Sequence, residues 1–397
     1  MTREHNRSIN PRPRAMSRRD FVKLALAGLL AGCRSTRQPT ASVAPTSAPT
    51  ATSPPSATLI AAPTAAPTSP PTATLTAAPT AMPAATTTAL PTATATPAAS
   101  ATPIVSPPAK LSTVVQARHA GVWDGETLSP EAVRHMLDAA ITQLTGENDA
   151  RDAWASLFSP GERIAIKVNT IRGSAIWTHV PLVMGVTERL QEAGVPAEQI
   201  VIFDRRSDEL AQAGYAVNQD GPGVRCYGAD GRYTASRTLA GQNIALGDVL
   251  LDCDALINMP LLKQHDYGGI SFAMKNHYGS FDRPTRLHPP HLDQGIAELN
   301  ALPSIKERTR LIIGDALEVV KSGWYSAATG DSILMSFDPV AHDAVGVQMY
   351  VKTLFPEREL TGAVAYQKAV RWLENGAGLG LGAHDPDDID WQELNLG

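Results

Sequence analysis

Charge and cysteine are what this sequence most conspicuously lacks. From Gln38 to Ala109 there is no charged residue in 72 positions, and 16 of the chain's 31 prolines fall there among Ala, Thr and Ser. A segment of that composition cannot bury enough apolar surface to fold. The chain has three cysteines, Cys33, Cys226 and Cys253, one short of the four thiolates that hold an iron–sulfur cluster, so a four-cysteine cluster within one chain is excluded. Basic charge is scarce beyond the N-terminal tip. Residues 1–37 carry nine Arg/Lys against two acids, a net of +7 that leaves −12 to the remainder of a chain whose total is −5. An acidic body argues against nucleic acid as a partner. No internal repeat of 20–50 residues is visible after Ala109, which excludes solenoids and propellers.

The tip has the order of an export address. Ser17-Arg18-Arg19-Asp20-Phe21-Val22-Lys23 resembles a twin-arginine translocation signal, and the apolar run Leu24–Gly32 that follows is well short of the ~20 residues needed to span a bilayer. Leu30-Ala31-Gly32-Cys33 then resembles the lipobox at which bacterial lipoproteins are cut and acylated on cysteine. The expected organisation is a signal peptide over 1–32, a disordered Pro/Thr/Ala-rich linker over 33–110, and one α/β domain over 111–397. Lipid on Cys33 would anchor the protein at the extracytoplasmic face of a bacterial membrane with no transmembrane helix. In that oxidising compartment Cys226 and Cys253 can pair, closing a loop of about 27 residues worth ~3 kcal/mol.

Beyond the linker, strands and helices alternate. Thr113–Ala117 reads as a strand. Ser129-Pro130-Glu131 supplies an N-cap, a first-turn proline and a first-turn acid to a helix with apolar residues at Val133, Met136, Leu137, Ala140, Ile141 and Leu144, closed by Gly146. Glu162–Thr170, a helix over Val180–Ala193, and Gln199–Asp204 make a βαβ unit. Strands at Ala255–Met259, Arg310–Gly314 and Ile333–Phe337, and helices at Gly269–His277, Val340–Phe355 and Val364–Glu374, complete the pattern. The fold class is α/β, with a mostly parallel sheet flanked by helices and an irregular insertion around Gly214–Gly241.

In such folds ligands gather at the carboxyl ends of strands. Alternation in Ile164–Asn169 puts Lys167 and Asn169 on one face, suited to an anion, or to a lysine extended along a sheet edge. Asp204 ends its strand either as a site acid or as the cap of a short helix. The densest cluster runs from Asn258 to Gly279. Lys263 and His265 project the same way if extended, as an acid/base pair requires, and Gly268-Gly269 opens the next element before Lys275, Asn276 and Gly279. Asp315 and Asp343 lie where a divalent cation or a lysine can be held. His288, His291 and Asp293 have metal-type spacing, but Pro289-Pro290 makes that segment an extended loop.

Taken in order, Ala165–Asn169, Ile202–Asp204, Asn258–His265, Ala273–Gly279, Ile313–Ala316 and Asp338–Val345 resemble the domain of unknown function 362 family over roughly Val114–Leu354. The resemblance implies a bacterial or archaeal α/β domain with no settled activity. Some relatives carry ferredoxin-type cysteine clusters, from which this chain departs. Two functions follow as expectations. One is an exported enzyme acting on a small anionic substrate, with Lys263, His265 and Lys275 catalytic, and Lys167, Asn169, Asp204, Asn276 and Gly279 binding. Asp315 and Asp343 would bind a cation there or fix a lysine. The other is a non-catalytic solute- or metal-binding lipoprotein, or an envelope accessory protein, using the same pocket.

Overall fold

The computed structural model describes residues 111–171, 174–321 and 326–397. The signal, the linker and Cys33 lie outside the described residues.

Ten strands form one sheet: β1 (Ser112–Arg118), β2 (Ile164–Lys167), β3 (Ile200–Phe203), β4 (Arg225–Cys226), β5 (Ala255–Asn258), β6 (Leu261–His265), β7 (Gly269–Ser271), β8 (Thr309–Val320), β9 (Ala327–Ser336) and β10 (Ile389–Asn395). Their order is β10-β1-β9-β8-β5-β2-β3-β4, with β6 pairing both β7 and the far half of β8. Six junctions are parallel and three, β1–β9, β8–β9 and β6–β7, are antiparallel, so the sheet is mixed but mostly parallel.

Alternation within the strands divides the core into two layers. Ile164, Ile166, Ile200, Ile202, Ala255 and Ile257 face one side. There they meet α1 (Pro130–Thr145) and α2 (Val180–Glu192) through Met136, Leu137, Ile141, Val183, Val186 and Leu190. Ala165, Val201, Phe203 and Leu256 face the other side. That side is covered by α4 (Leu292–Ala301), α5 (Pro339–Leu354) and α6 (Val364–Gly378), while the single turn α3 (Ala273–Asn276) lies between them. Each fully buried Leu or Ile in these layers contributes about 1.5–3 kcal/mol. The boundaries of α1 follow from its sequence. Ser129 Oγ accepts from the Ala132 N–H at 3.3 Å, Pro130 sits in the first turn, and Gly146 ends the helix at φ 78°. None of the described helices is long and apolar enough to cross a membrane.

Four expectations are corrected. Gly269–His277 is not one helix: Gly269–Ser271 pairs with β6, and only Ala273–Asn276 is helical. Arg310–Gly314 is the first part of a longer strand, so Asp315 is a buried mid-strand residue and not a strand end. β8 runs on because β9 pairs with it from Ser336 back to Ala327. The region read as irregular contains β4 and the first strand of a hairpin, Tyr233–Leu239 with Gln242–Gly247. Cys226 and Cys253 are free, buried thiols, because the sheet separates them: Cys226 packs in the α1/α2 layer and Cys253 in the opposite one.

Candidate functional site

β2, β3 and β5 run parallel in register, Lys167 beside both Phe203 and Asn258, so their carboxyl ends open at one level. After Asn258 the chain breaks step at Met259-Pro260. Pro260 O accepts from the Asp315 N–H at 2.8 Å, and β6 then continues alongside the second half of β8. This bend carries Lys263 and His265 past the ends of β2 and β3. α3 brings Lys275 and Asn276 from the other direction. Its first N–H groups, those of Ala273 and Met274, donate to the Asp343 carboxylate at 2.7 and 2.9 Å.

Between them lies a cavity of about 210 Å³. Lys263, His265, Lys275, Asn169, Asp204, Asn276 and Gly279 all line it, so seven of the eight residues expected to catalyse or bind converge. Lys167, the eighth, stands behind the wall. It is fully buried and pairs with Asp204 at 2.8 Å, while its Nζ also donates to Val168 O at 2.7 Å. Asp204 accepts further from Thr170 N–H at 2.7 Å and Thr170 Oγ1 at 2.9 Å. Burial works against that carboxylate, but Lys167 and Thr170 hold its pKa below the ordinary value. Asp204 is thus an ion-pair partner, and the short helix after it begins at Ser207 without its help.

A line of amides joins this pair to the cavity. Asn276 donates to Lys167 O at 3.2 Å and Asn258 Oδ1 at 2.8 Å, and accepts from Asn169 Nδ2 at 3.2 Å. Asn169 Oδ1 in turn accepts from Lys263 Nζ at 2.7 Å. Burial, then the nearby Lys167 charge, outweigh Asp204 and lower the Lys263 pKa to about 7. Lys275 is 5% exposed, and its Nζ lies 3.5 Å from the centre of the Tyr278 ring. Among the described residues no carboxylate is within ion-pair distance of Lys275, and burial with the neighbouring Lys263 drives its pKa well below normal.

His265 is a donor in this arrangement. Its Nδ1 accepts from Gly268 N–H at 3.0 Å and Tyr267 N–H at 3.3 Å, which leaves the ring proton on Nε2. Burial, then Lys275, His288 and Lys263, keep the ring neutral. The Gly268-Gly269 pair serves this turn and not a ligand. Gly269 has φ 80°, and a Cβ there would fall 2.1 Å from Ala365 O on α6.

The two acids expected to hold a cation have other partners. Asp315 Oδ2 accepts from both the backbone N–H and the Nδ1 of His179 at 2.8 Å, and His179 Nε2 lies 3.4 Å from Glu318. Burial opposes charge on the ring, but Asp315 and Glu318 raise the His179 pKa to about 10. Asp343 is spent on α3 and on His342 Nδ1 at 3.0 Å. No group of three or more His, Cys, Asp or Glu suited to a metal occurs among the described residues. The His288–Asp293 segment disperses too. His288 lines the cavity, His291 contacts Gln242 at 3.2 Å, and Asp293 pairs with Arg371 at 3.2 Å.

His288, set aside in the sequence as part of an extended loop, joins the lining, as do Tyr278 and the Arg205–Glu209 pair, which were not singled out. The His288 ring stacks on Tyr278 with centroids 5.8 Å apart and meets His265 edge-on at 5.6 Å. A histidine nine positions after the Lys275–Gly279 run carries no periodic signal, and only the chain's return past Thr285 brings it back.

Residues 164–348 match the family model of a domain of unknown function (DUF362). The matched span contains every element that lines the cavity, and the likeness read from the motifs is thereby shown. No curated relative matches the chain. Among the solved structures similar to it is a lactate racemase apoprotein from Thermoanaerobacterium thermosaccharolyticum, 9% identical with a TM-score of 0.35, covering 58% of this chain and 55% of that one. Another is a protein from Thermotoga maritima, 12% identical with a TM-score of 0.35, covering 64% and 60%. This chain spans less than two thirds of the length of either, and neither likeness bears on activity.

Proposed function

We propose that the DUF362 cavity binds a small anionic molecule and acts on it, in an enzyme exported by the twin-arginine signal and held to the envelope by lipid on Cys33. The observation that carries this reading is Lys275, a buried lysine facing a cavity with an aromatic face and no carboxylate beside it among the described residues. A buried ammonium is costly unless paired, and an anion in the cavity would supply the missing charge. Asp204 and Glu209, the acids of the lining, are already paired with Lys167 and Arg205. Lys263 supports turnover over storage. An amine with a pKa of about 7 gives and takes a proton at neutral pH, which a solute carrier does not need. His265 Nε2–H is suited to donate to a ligand oxygen. The Asp315 and Asp343 carboxylates have other partners, so no step is routed through a metal.

The test is a thermal-stabilisation screen of protein purified through its native export route, using carboxylated and phosphorylated metabolites and their uncharged analogues. Anions are expected to raise the Tm of the wild type and not of Lys275→Met, whose own stability should equal or exceed the parent's. Equal stabilisation of both proteins would overturn the reading.

A further inference from the structure

We propose that Lys263 is a nucleophile that forms an imine with the carbonyl carbon of a small 2-oxo acid whose carboxylate is taken by Lys275. The inference rests on the anion-site reading above and names its substrate class. Four observations on the geometry lead to it. The cavity, about 210 Å³, is smaller than the roughly 300–1,000 Å³ usual for drug-sized ligands, which favours a small occupant. A phosphate would be expected to use the N-terminal N–H groups of a helix, but the first two N–H groups of α3 are spent on Asp343. Recognition is left to side chains, among them Lys263, Lys275, the two amides and His265 Nε2–H.

The two lysines that line the cavity are held differently. Lys275 lies over the Tyr278 ring, a contact that favours the ammonium form and hence charge recognition. Lys263 donates to an amide oxygen, which serves an amine as well as an ammonium, and this bond aims Nζ from a rigid strand. Finally, Lys263 is desolvated beside the Lys167 charge and next to a second buried lysine, Lys275, the setting that turns a lysine into a nucleophile. Its pKa of about 7 agrees with this role.

The step balances without any further reactant. The Lys263 lone pair forms the C–N bond, the carbonyl π pair moves to oxygen, and both amine protons leave with that oxygen as water. His265 Nε2–H and Lys275 are placed in the same lining to steady the developing alkoxide.

The full-length protein is incubated with pyruvate or glyoxylate and cyanoborohydride, then measured by intact mass and peptide mapping, with Tm shifts recorded in parallel without reductant. One reduced adduct per chain, mapped to Lys263, is expected. It should be absent from Lys263→Arg and Lys263→Met, while Lys263→Met keeps a Tm shift with pyruvate and Lys275→Met loses both signals. A pyruvate Tm shift with no adduct would overturn the imine and leave the anion site standing. An adduct on Lys275, or spread evenly over surface lysines, would overturn it as well. Absence of a Tm shift with every anion tested would remove the anion site itself.

Discussion

A methyl group at position 279 would fall 2.2 Å from Asp204 Oδ1 and 2.7 Å from Lys167 Nζ, so glycine there is what lets the Lys167–Asp204 pair close against the cavity wall. Gly279→Ala should therefore cost about 1–3 kcal/mol by overpacking, and denaturant titration would show it. An unchanged midpoint would mean that the pair is not held there. The sequence made much of this site legible, because its motif residues lie within short runs at strand ends. Roles were less legible than membership. His265 was read as half of an acid/base pair, but its Nδ1 closes a turn, and that bond cannot be seen until the chain has folded back at Gly268. Lys167 reads in the sequence as a ligand group, but the partner that claims it, Asp204, directly follows the neighbouring strand β3.

At the scale of elements, the βαβ unit of β2, α2 and β3 and the capped helix α1 are legible in the sequence to within a few residues, whereas the Asp149-capped helix Ala150–Leu157, α4, β6 and β10 are not. The misreadings fell where tertiary contacts decide, as in the Gly269–His277 stretch, whose first residues are claimed by β6. α3 has only four residues and too few internal hydrogen bonds to stand alone, so it depends on the Asp343 carboxylate. Asp343→Ala should leave two buried N–H groups without acceptors, costing about 2 kcal/mol or more, and abolish anion binding through Lys275. Asp343→Asn, which keeps one acceptor oxygen, should recover part of both, and a variant that loses neither would contradict this account of α3.

The pH dependence divides between two elements. The His179 pKa is raised from 6.5 to about 10, so the folded state holds the extra proton. Its contribution is complete below pH 6.5 and lost as pH rises through 10. The Lys263 pKa is lowered from 10.5 to about 7, so between those values the unfolded chain binds more protons and stability rises with pH. The stability advantage of wild type over His179→Asn should narrow from pH 6.5 to 10, whereas wild type should gain on Lys263→Met from pH 7 to 10. Parallel lines for both variants would show that neither shift exists.

For the molecule as a whole, charge is distributed in two senses, since an acidic body encloses a cavity lined by Lys263, Lys275 and Arg205. Such a surface disfavours polyanions, while the cavity lysines are the basis of the proposed small-anion site. Attachment belongs to this scale too. Cys33→Ser should release a folded domain from membranes, and a variant that still sediments with them after a salt wash would contradict the lipid anchor. The most direct measurement is calorimetric titration of the full-length protein at pH 8 with an anion that raises its Tm, repeated in buffers of different ionisation enthalpy. Lys263, with its pKa of about 7, is largely neutral at that pH, and burial holds the Lys275 pKa well below normal. An anion beside these two lysines favours their charged forms and so draws in protons. Net proton uptake on binding, lost in Lys275→Met, is the predicted result. Binding with no proton uptake, or with the same uptake in Lys275→Met, would contradict it.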